Sequence, residues 1–297
     1  MAKRYKKKFG EKCIEVVLFL CASITILTTI AVISVLLYES INFFRNVSLV
    51  EFFTSTEWTP LFTQKHFGIM PLLAGTLLTS LIAVAVALPV GLTIAIYLSE
   101  YAPKKFRKIV KPLLEILAAV PTVVYGFFAL IVVTPFLQNI FPNLPGFNAL
   151  SPGIVMGIMI IPYISSLSED ALFAVPKSLR EAAYGIGSTR FQTAFRVLLP
   201  AASSGIISSV ILAISRAIGE TMIVAIAAGQ QPNLTLNPLE SVETITTYIV
   251  QVSLGDVPHG SLEFQTIFAA GATLFAFTLI FNNISYKLNR KYQQKYD

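Results

Sequence analysis

The sequence predicts an all-α integral membrane protein with six transmembrane helices. Of its 297 residues, 55% are hydrophobic and only 13% are charged, about half the charged share of a soluble domain, and the mean hydropathy is +0.71. The apolar residues are gathered into uncharged runs at 16–38, 66–99, 116–168, 197–215, 221–239 and 264–286, against roughly 20 residues needed to cross a bilayer as helix. Lysine and arginine, finally, alternate between successive connections in the manner of a multi-pass protein.

The elements follow in order. Residues 1–13 form a basic head, Met-Ala-Lys-Arg-Tyr-Lys-Lys-Lys8 and beyond, before a first helix at about 14–38. A secretory leader has an apolar core of about 7–15 residues and a small-residue cleavage site. This run is longer and ends in Tyr38-Glu39, so it reads as a retained anchor. Both cysteines, Cys13 and Cys21, belong to this segment and suggest no disulfide framework. An outer connection to residue 65 carries Phe52, Phe53 and the single Trp58, readable as interfacial anchors.

The second helix spans about 69–98. The run 116–168 is too long for one crossing and is divided by Phe141-Pro-Asn-Leu-Pro-Gly-Phe147, a turn composition, giving helices at 114–138 and 151–168. The two runs flanking Arg216 and Glu220 are short singly and join into one helix at about 204–228. After an outer connection with Glu240, Glu243 and Asp256, a sixth helix at 264–286 leads to a tail, 287–297. With the N-terminus inside, inner segments hold nineteen basic residues and outer segments only Arg45 and Lys65, which places both termini in the cytoplasm. Basic clusters so close to helix ends read as contacts with anionic lipid, not with nucleic acid.

Catalytic and metal signatures are missing. The two histidines, His66 and His259, lie in outer segments, and there is no H-E-x-x-H, C-x-x-C, G-x-S-x-G or phosphate loop. No catalytic residue, metal ligand or cofactor is therefore expected, and any ATP driving transport is bound by another subunit. Two charges inside a membrane helix, roughly 2.5–3.5 kcal/mol each on insertion scales, point to function by default. Arg216 is the thirteenth of the 25 residues in 204–228, near the midplane, and Glu220 lies one turn on, within pairing distance. The pair either staples helices or lines a path. Small residues around it, Ser204 to Gly219, favour close helix packing.

The long inner segment 169–203 suits two short surface helices: Pro176 opens one, Gly187 permits a sharp turn, and Pro200 starts the next span. An interfacial amphipathic helix is its plain alternative. The segment resembles the EAA loop of bacterial ABC-importer permeases: Glu181, Ala182, Ala183, Gly187, Leu199 and Pro200 fall on that pattern, with Val197 in place of isoleucine. The resemblance implies an ABC type I importer permease fold in which this loop is the coupling helix docked on an ATPase subunit.

Within that family, Phe67-Gly68-Ile69, Gly75-Thr76-Leu77, the segment from Ala95 to Pro103, the segment from Val120 to Gly126, and Arg216-Ala217-Ile218-Gly219-Glu220-Thr221-Met222 are similar to phosphate permeases of the PstC type. The last stretch also resembles the sister PstA half. The resemblance implies a bacterial or archaeal cytoplasmic-membrane protein importing inorganic phosphate. Its partners would be a PstA-like permease, a PstB-like ATPase dimer and a PstS-like binding protein, with Arg216, Glu220 and Thr221 on the substrate path. Ion-driven carriers and channels would also suit helices and an intramembrane pair but need no EAA loop; molybdate and phosphonate remain competing substrates.

Overall fold

The structure, a computed structural model, describes residues 2–292, with side chains described for residues 10–287. The side chains of the basic head through Phe9, and those of the tail from residue 288, lie outside that description. Among the described residues the fold is helical throughout, with two isolated bridges, Trp58 to Phe67 and Gly229 to Val242, and no strand. Four helices are long and apolar enough to cross a membrane, or six spans if each of two bent pairs counts as one.

Helix α1 (Ala2–Asn46) runs past residue 38 because Phe43 at its far end is fully buried. A short α2 (Leu49–Thr54), N-capped by Ser48, leads to α3 (Met70–Ile96), which carries Pro71 in its first turn and closes in a π-helical turn, Tyr97–Tyr101. Trp58 and Phe52 are buried with Phe43, Phe67 and Tyr248. The expectation that they anchor at the lipid interface is thus corrected for Trp58 and Phe52; edge-to-face aromatic packing holds them inside the protein.

The stretch 114–138 is not one straight helix. Pro121 forces Val120 out of helical geometry (ψ 132°), so α4 (Lys104–Ala119) meets the next segment at 86°. That segment comprises α5 (Thr122–Phe128), a π-helical turn Ala129–Val133 and α6 (Thr134–Gln138). Residues placed in an inner loop by sequence therefore form most of an amphipathic helix.

Helix α7 (Leu150–Ala174) is the hub: 67% of its spanning window is buried, against none for α1. Gly153 and Gly157 let it lie directly on α3, since a Cβ at either would fall 2.7 Å from an Ile82 carbon or 2.8 Å from a Val86 carbon. It continues beyond residue 168 because Glu169 is paired and fully buried. Then come α8 (Lys177–Gly185), α9 (Arg190–Thr193), a π-helical turn Ala194–Leu198, and α10 (Leu199–Ala201), which meets α11 (Ser203–Ile218) at 74°.

The continuous helix expected at 204–228 does not form. It breaks at Gly219, Glu220 and Thr221 into α11 and α12 (Met222–Ala227). The outer connection holds an unforeseen helix, α13 (Ile245–Leu254), whose first amide donates to the Thr76 hydroxyl of α3 at 3.1 Å. Helix α14 (Leu262–Tyr292) completes the bundle.

Candidate functional site

The break in the fifth span explains how two charges are tolerated there. Arg216 lies in the last turn of α11 and Glu220 stands before the first turn of α12. A cation at a helix C-terminus and an anion at a helix N-terminus are each favoured by the local backbone dipole, by about 0.3–1 kcal/mol or more when partly buried. Gly219 caps α11, its amide donating to the Ser215 carbonyl at 3.3 Å. The Glu220 carboxylate accepts a long contact from the Ile223 amide at 3.5 Å, and the Thr246 hydroxyl of α13 donates to the Glu220 carbonyl at 2.8 Å.

Arg216 Nη1 and Glu220 Oε2 are 3.7 Å apart, with the carboxylate 2% exposed and the guanidinium 40% exposed. Glu220 is fixed; Arg216 is offered outward. Thr221, partly buried, is the residue immediately before α12. The same helix α11 borders a cleft of about 620 Å3 shared with α7 and α14, where Ser215 donates to Asn282 at 3.2 Å and the hydroxyls of Ser168 and Ser209 meet at 2.7 Å. The partly exposed guanidinium can receive an oxyanion.

The segment after α7 forms short helices around Gly187. Pro176 is the N-cap of α8, which carries Glu181, Ala182 and Ala183; Ala183 is buried while the other two are exposed. Gly187 ends the helix at φ +84°, with the Gly187 amide on the Tyr184 carbonyl and the Ser188 amide on the Ala183 carbonyl. This is the Schellman geometry that favours glycine. Thr189 then opens α9 through a reciprocal capping box with Gln192. Pro200 sits in the single turn α10, ahead of the 74° bend. At the tip, Ile186 is 85% exposed, flanked by exposed Tyr184 and Phe191. Phe191 packs on Phe195, their ring centres 4.4 Å apart, and among the described residues Ile186 stays almost wholly uncovered.

Behind the loop lies a charge network that the sequence reading used only for orientation. Buried Glu169 pairs with Arg107 and, at 3.2 Å, with Lys111, which also reaches Asp170 at 2.6 Å. Arg180 of α8 pairs with the nearly buried Glu100 at 2.7 Å and donates to the Leu172 carbonyl at 2.6 Å. The guanidinium of Arg107 also lies 4.3 Å from the centre of the Phe173 ring. Helix α8 is therefore clamped to the ends of α3 and α7. The available signal was that Glu100 and Glu169 terminate uncharged runs, where a buried partner is required.

Comparison with solved structures defines the class. A bacterial alginate ABC transporter aligns with a TM-score of 0.59 over 90% of this chain and 93% of its own, at 19% identity. The MetNI methionine ABC transporter aligns with a TM-score of 0.56 over 76% of this chain and 95% of its own, at 18% identity. The fold is that of an ABC importer's membrane subunit. Residues 87–294 match the model of the binding-protein-dependent transport system inner membrane component family, and the chain belongs to that family. It is a multi-pass permease subunit, which implies an ATPase and a substrate-binding protein as partners.

Among relatives, the protein named "Probable ABC transporter permease protein YqgH" of Bacillus subtilis is 33% identical over 95% of this chain and 91% of its own length. The phosphate transport system permease protein PstC of Mesorhizobium japonicum is 35% identical over 77% of this chain and 75% of its own. The PstC of Pasteurella multocida is 31% identical over 89% and 87%.

Proposed function

We propose that this chain is the PstC-type half of an ATP-driven inorganic phosphate importer, with Arg216, Glu220 and Thr221 on the substrate path. Both termini are in the cytoplasm of a bacterial or archaeal cell, a reading supported by the skew of basic residues. Its partners are a PstA-like permease, a PstB-like ATPase dimer and a PstS-like binding protein. The names of the relatives support the substrate. The observation that carries the reading is the half-open pair, in which buried Glu220 holds an outward-facing Arg216.

A guanidinium matches an oxyanion bidentately and stays charged at any working pH. Phosphate near neutral pH still carries a proton that Glu220 can accept, whereas sulfate offers none and meets only repulsion. Glu220 also competes for Arg216, so the path does not trap the anion. At the inner face, Glu181, Ala182, Ala183, Gly187 and Pro200 form or position the coupling segment. Exposed Ile186 and Phe191 supply an apolar surface for the ATPase. ATP-driven closure of that dimer moves the segment, and α11 moves with it across the bend at residue 202.

The test is labelled-phosphate uptake by the reconstituted complex, with sulfate and molybdate as competitors. A charge-assisted contact contributes about 1.5–3 kcal/mol, so Arg216→Ala should lower uptake about ten- to hundredfold while the complex still assembles. Arg216→Gln combined with Glu220→Gln separates a path from a staple, because a staple tolerates a neutral hydrogen-bonding pair. Near-normal uptake by the assembled double variant would overturn the reading.

A further inference from the structure

The half-helix α12 is six residues long, too short to hold itself by its own hydrogen bonds, so its neighbours set its place. On one side is α5. A Cβ at Gly126 would fall 2.8 Å from an Ile226 carbon and 3.0 Å from the Met222 carbonyl oxygen, and glycine is what lets the two helices come so close. On another side is the outer segment 242–246. Its Val242 amide donates to the Ala228 carbonyl just past the end of α12 at 3.1 Å, and its Thr246 hydroxyl donates to the Glu220 carbonyl just before the start at 2.8 Å. The segment holds α12 at both ends.

The segment is in turn seated on α3. A Cβ at Gly75 would overlap the Glu243 carbonyl, and the Thr76 hydroxyl accepts the Ile245 amide at 3.1 Å. With its proton given to Glu220, Thr246 accepts from the Thr244 hydroxyl at 3.0 Å, and Thr244 accepts the Thr247 amide as the cap of α13. The contacts of the Glu220 carboxylate are longer, 3.5 Å to the Ile223 amide and 3.7 Å to Arg216, so its place follows that of its main chain. We infer that Thr246 is a positioning residue for the pair of Arg216 and Glu220: its hydroxyl pins the Glu220 carbonyl at the helix break and thereby keeps the carboxylate within reach of the guanidinium. The consequence for uptake rests on the substrate path proposed above, whereas the hold on Glu220 does not.

The experiment uses the assembled transporter with its ATPase subunits in vesicles. Thr246→Val keeps the branched shape and removes the hydroxyl, whereas Thr246→Ser keeps the hydroxyl. Three quantities are read: deuterium exchange of the peptide 217–226, modification of Arg216 by phenylglyoxal with Arg45 as the control, and ATP-driven uptake of labelled phosphate. Loss of one hydrogen bond should speed exchange roughly three- to tenfold in Thr246→Val. A carboxylate that drifts from its partner leaves the guanidinium open, so Arg216 should be modified faster by a similar factor while Arg45 is unchanged. Uptake should fall by about the same factor. Thr246→Ser should match the wild type in all three.

Unchanged exchange, or unchanged Arg216 modification, in Thr246→Val would overturn the inference whatever its uptake. So would a serine variant as impaired as the valine one, which would mark a packing role for the side chain. So would modification of Arg45 rising with that of Arg216, a sign of general loosening. Faster exchange and faster Arg216 modification with normal uptake would uphold the hold on Glu220 and overturn instead the placing of the pair on the substrate path, so the two failures are recognised separately.

Discussion

At one end of α3, Phe43, Phe52, Trp58, Phe67 and Tyr248 close on one another in a dry aromatic cap, and the buried Glu243 beside them makes no ion pair among the described residues. At the other end, Glu169 is fully buried between Arg107 and Lys111, and Glu100 holds Arg180 of α8. Apolar burial is non-directional and tolerates repacking of similar volume. Buried ion pairs have few arrangements and transmit a displacement only through particular atoms. On the function proposed above, the end that would take up the stroke of an ATPase is the end built from directional contacts, while the cap needs only to stay closed.

The largest expected effect tests this contrast at Glu169. Removing one partner of a buried pair costs about 3–5 kcal/mol. Glu169→Ala should fall near the lower figure, because Lys111 keeps Asp170 and Arg107 is itself 25% exposed. Thermal unfolding of the purified chain in detergent reads the loss. Phe52→Leu in the cap should cost only about 1–2 kcal/mol, since an apolar side chain still fills most of the site. The comparison breaks if the cap variant proves the more damaging.

A smaller effect distinguishes the two ends by pH. Burial alone lifts Glu243 from 4.5 to about 8. The folded chain therefore keeps a proton that the unfolded chain has released, and stability falls as pH rises between these values. From pH 6 to 7 the loss should be about 1 kcal/mol, and Glu243→Gln should flatten the profile. A slope unchanged in that variant would show that the cap carboxyl is not the titrating group.

How much of this was legible in the sequence differs between the ends as well. The spans showed because lipid imposes long uncharged runs, and the α8 turn showed because Gly187 acts on its immediate neighbours. The burial of Trp58 did not show. It depends on Tyr248, 190 residues away, and an aromatic near a membrane boundary is equally at home in lipid. The break at Glu220 was hidden for a related reason: one uncharged run on each side invites a continuous helix, and only the Thr246 contact from α13 marks the discontinuity. The clamp of Arg107 and Lys111 on Glu169 joins two segments whose charges looked like ordinary loop charges.

The smallest expected effect isolates burial from charge. Lys65 and Glu263 form an ion pair near the aromatic cap, but the lysine side chain is 44% exposed and the glutamate 22%. Water screens such a pair and fixing two side chains offsets its attraction, leaving about 0–1 kcal/mol. Lys65→Ala should therefore lower thermal stability by less than about 1 kcal/mol, and added salt should shrink even that difference. Glu169→Ala, by contrast, should hold its cost in high salt, because its carboxylate has no access to the counterions. If Lys65→Ala matched the Glu169 variant, ion pairing alone would account for the Glu169 clamp. If it stays small, the clamp's strength comes from the absence of water around Glu169, and the directional end of the molecule depends on that dryness as much as on the charges it contains.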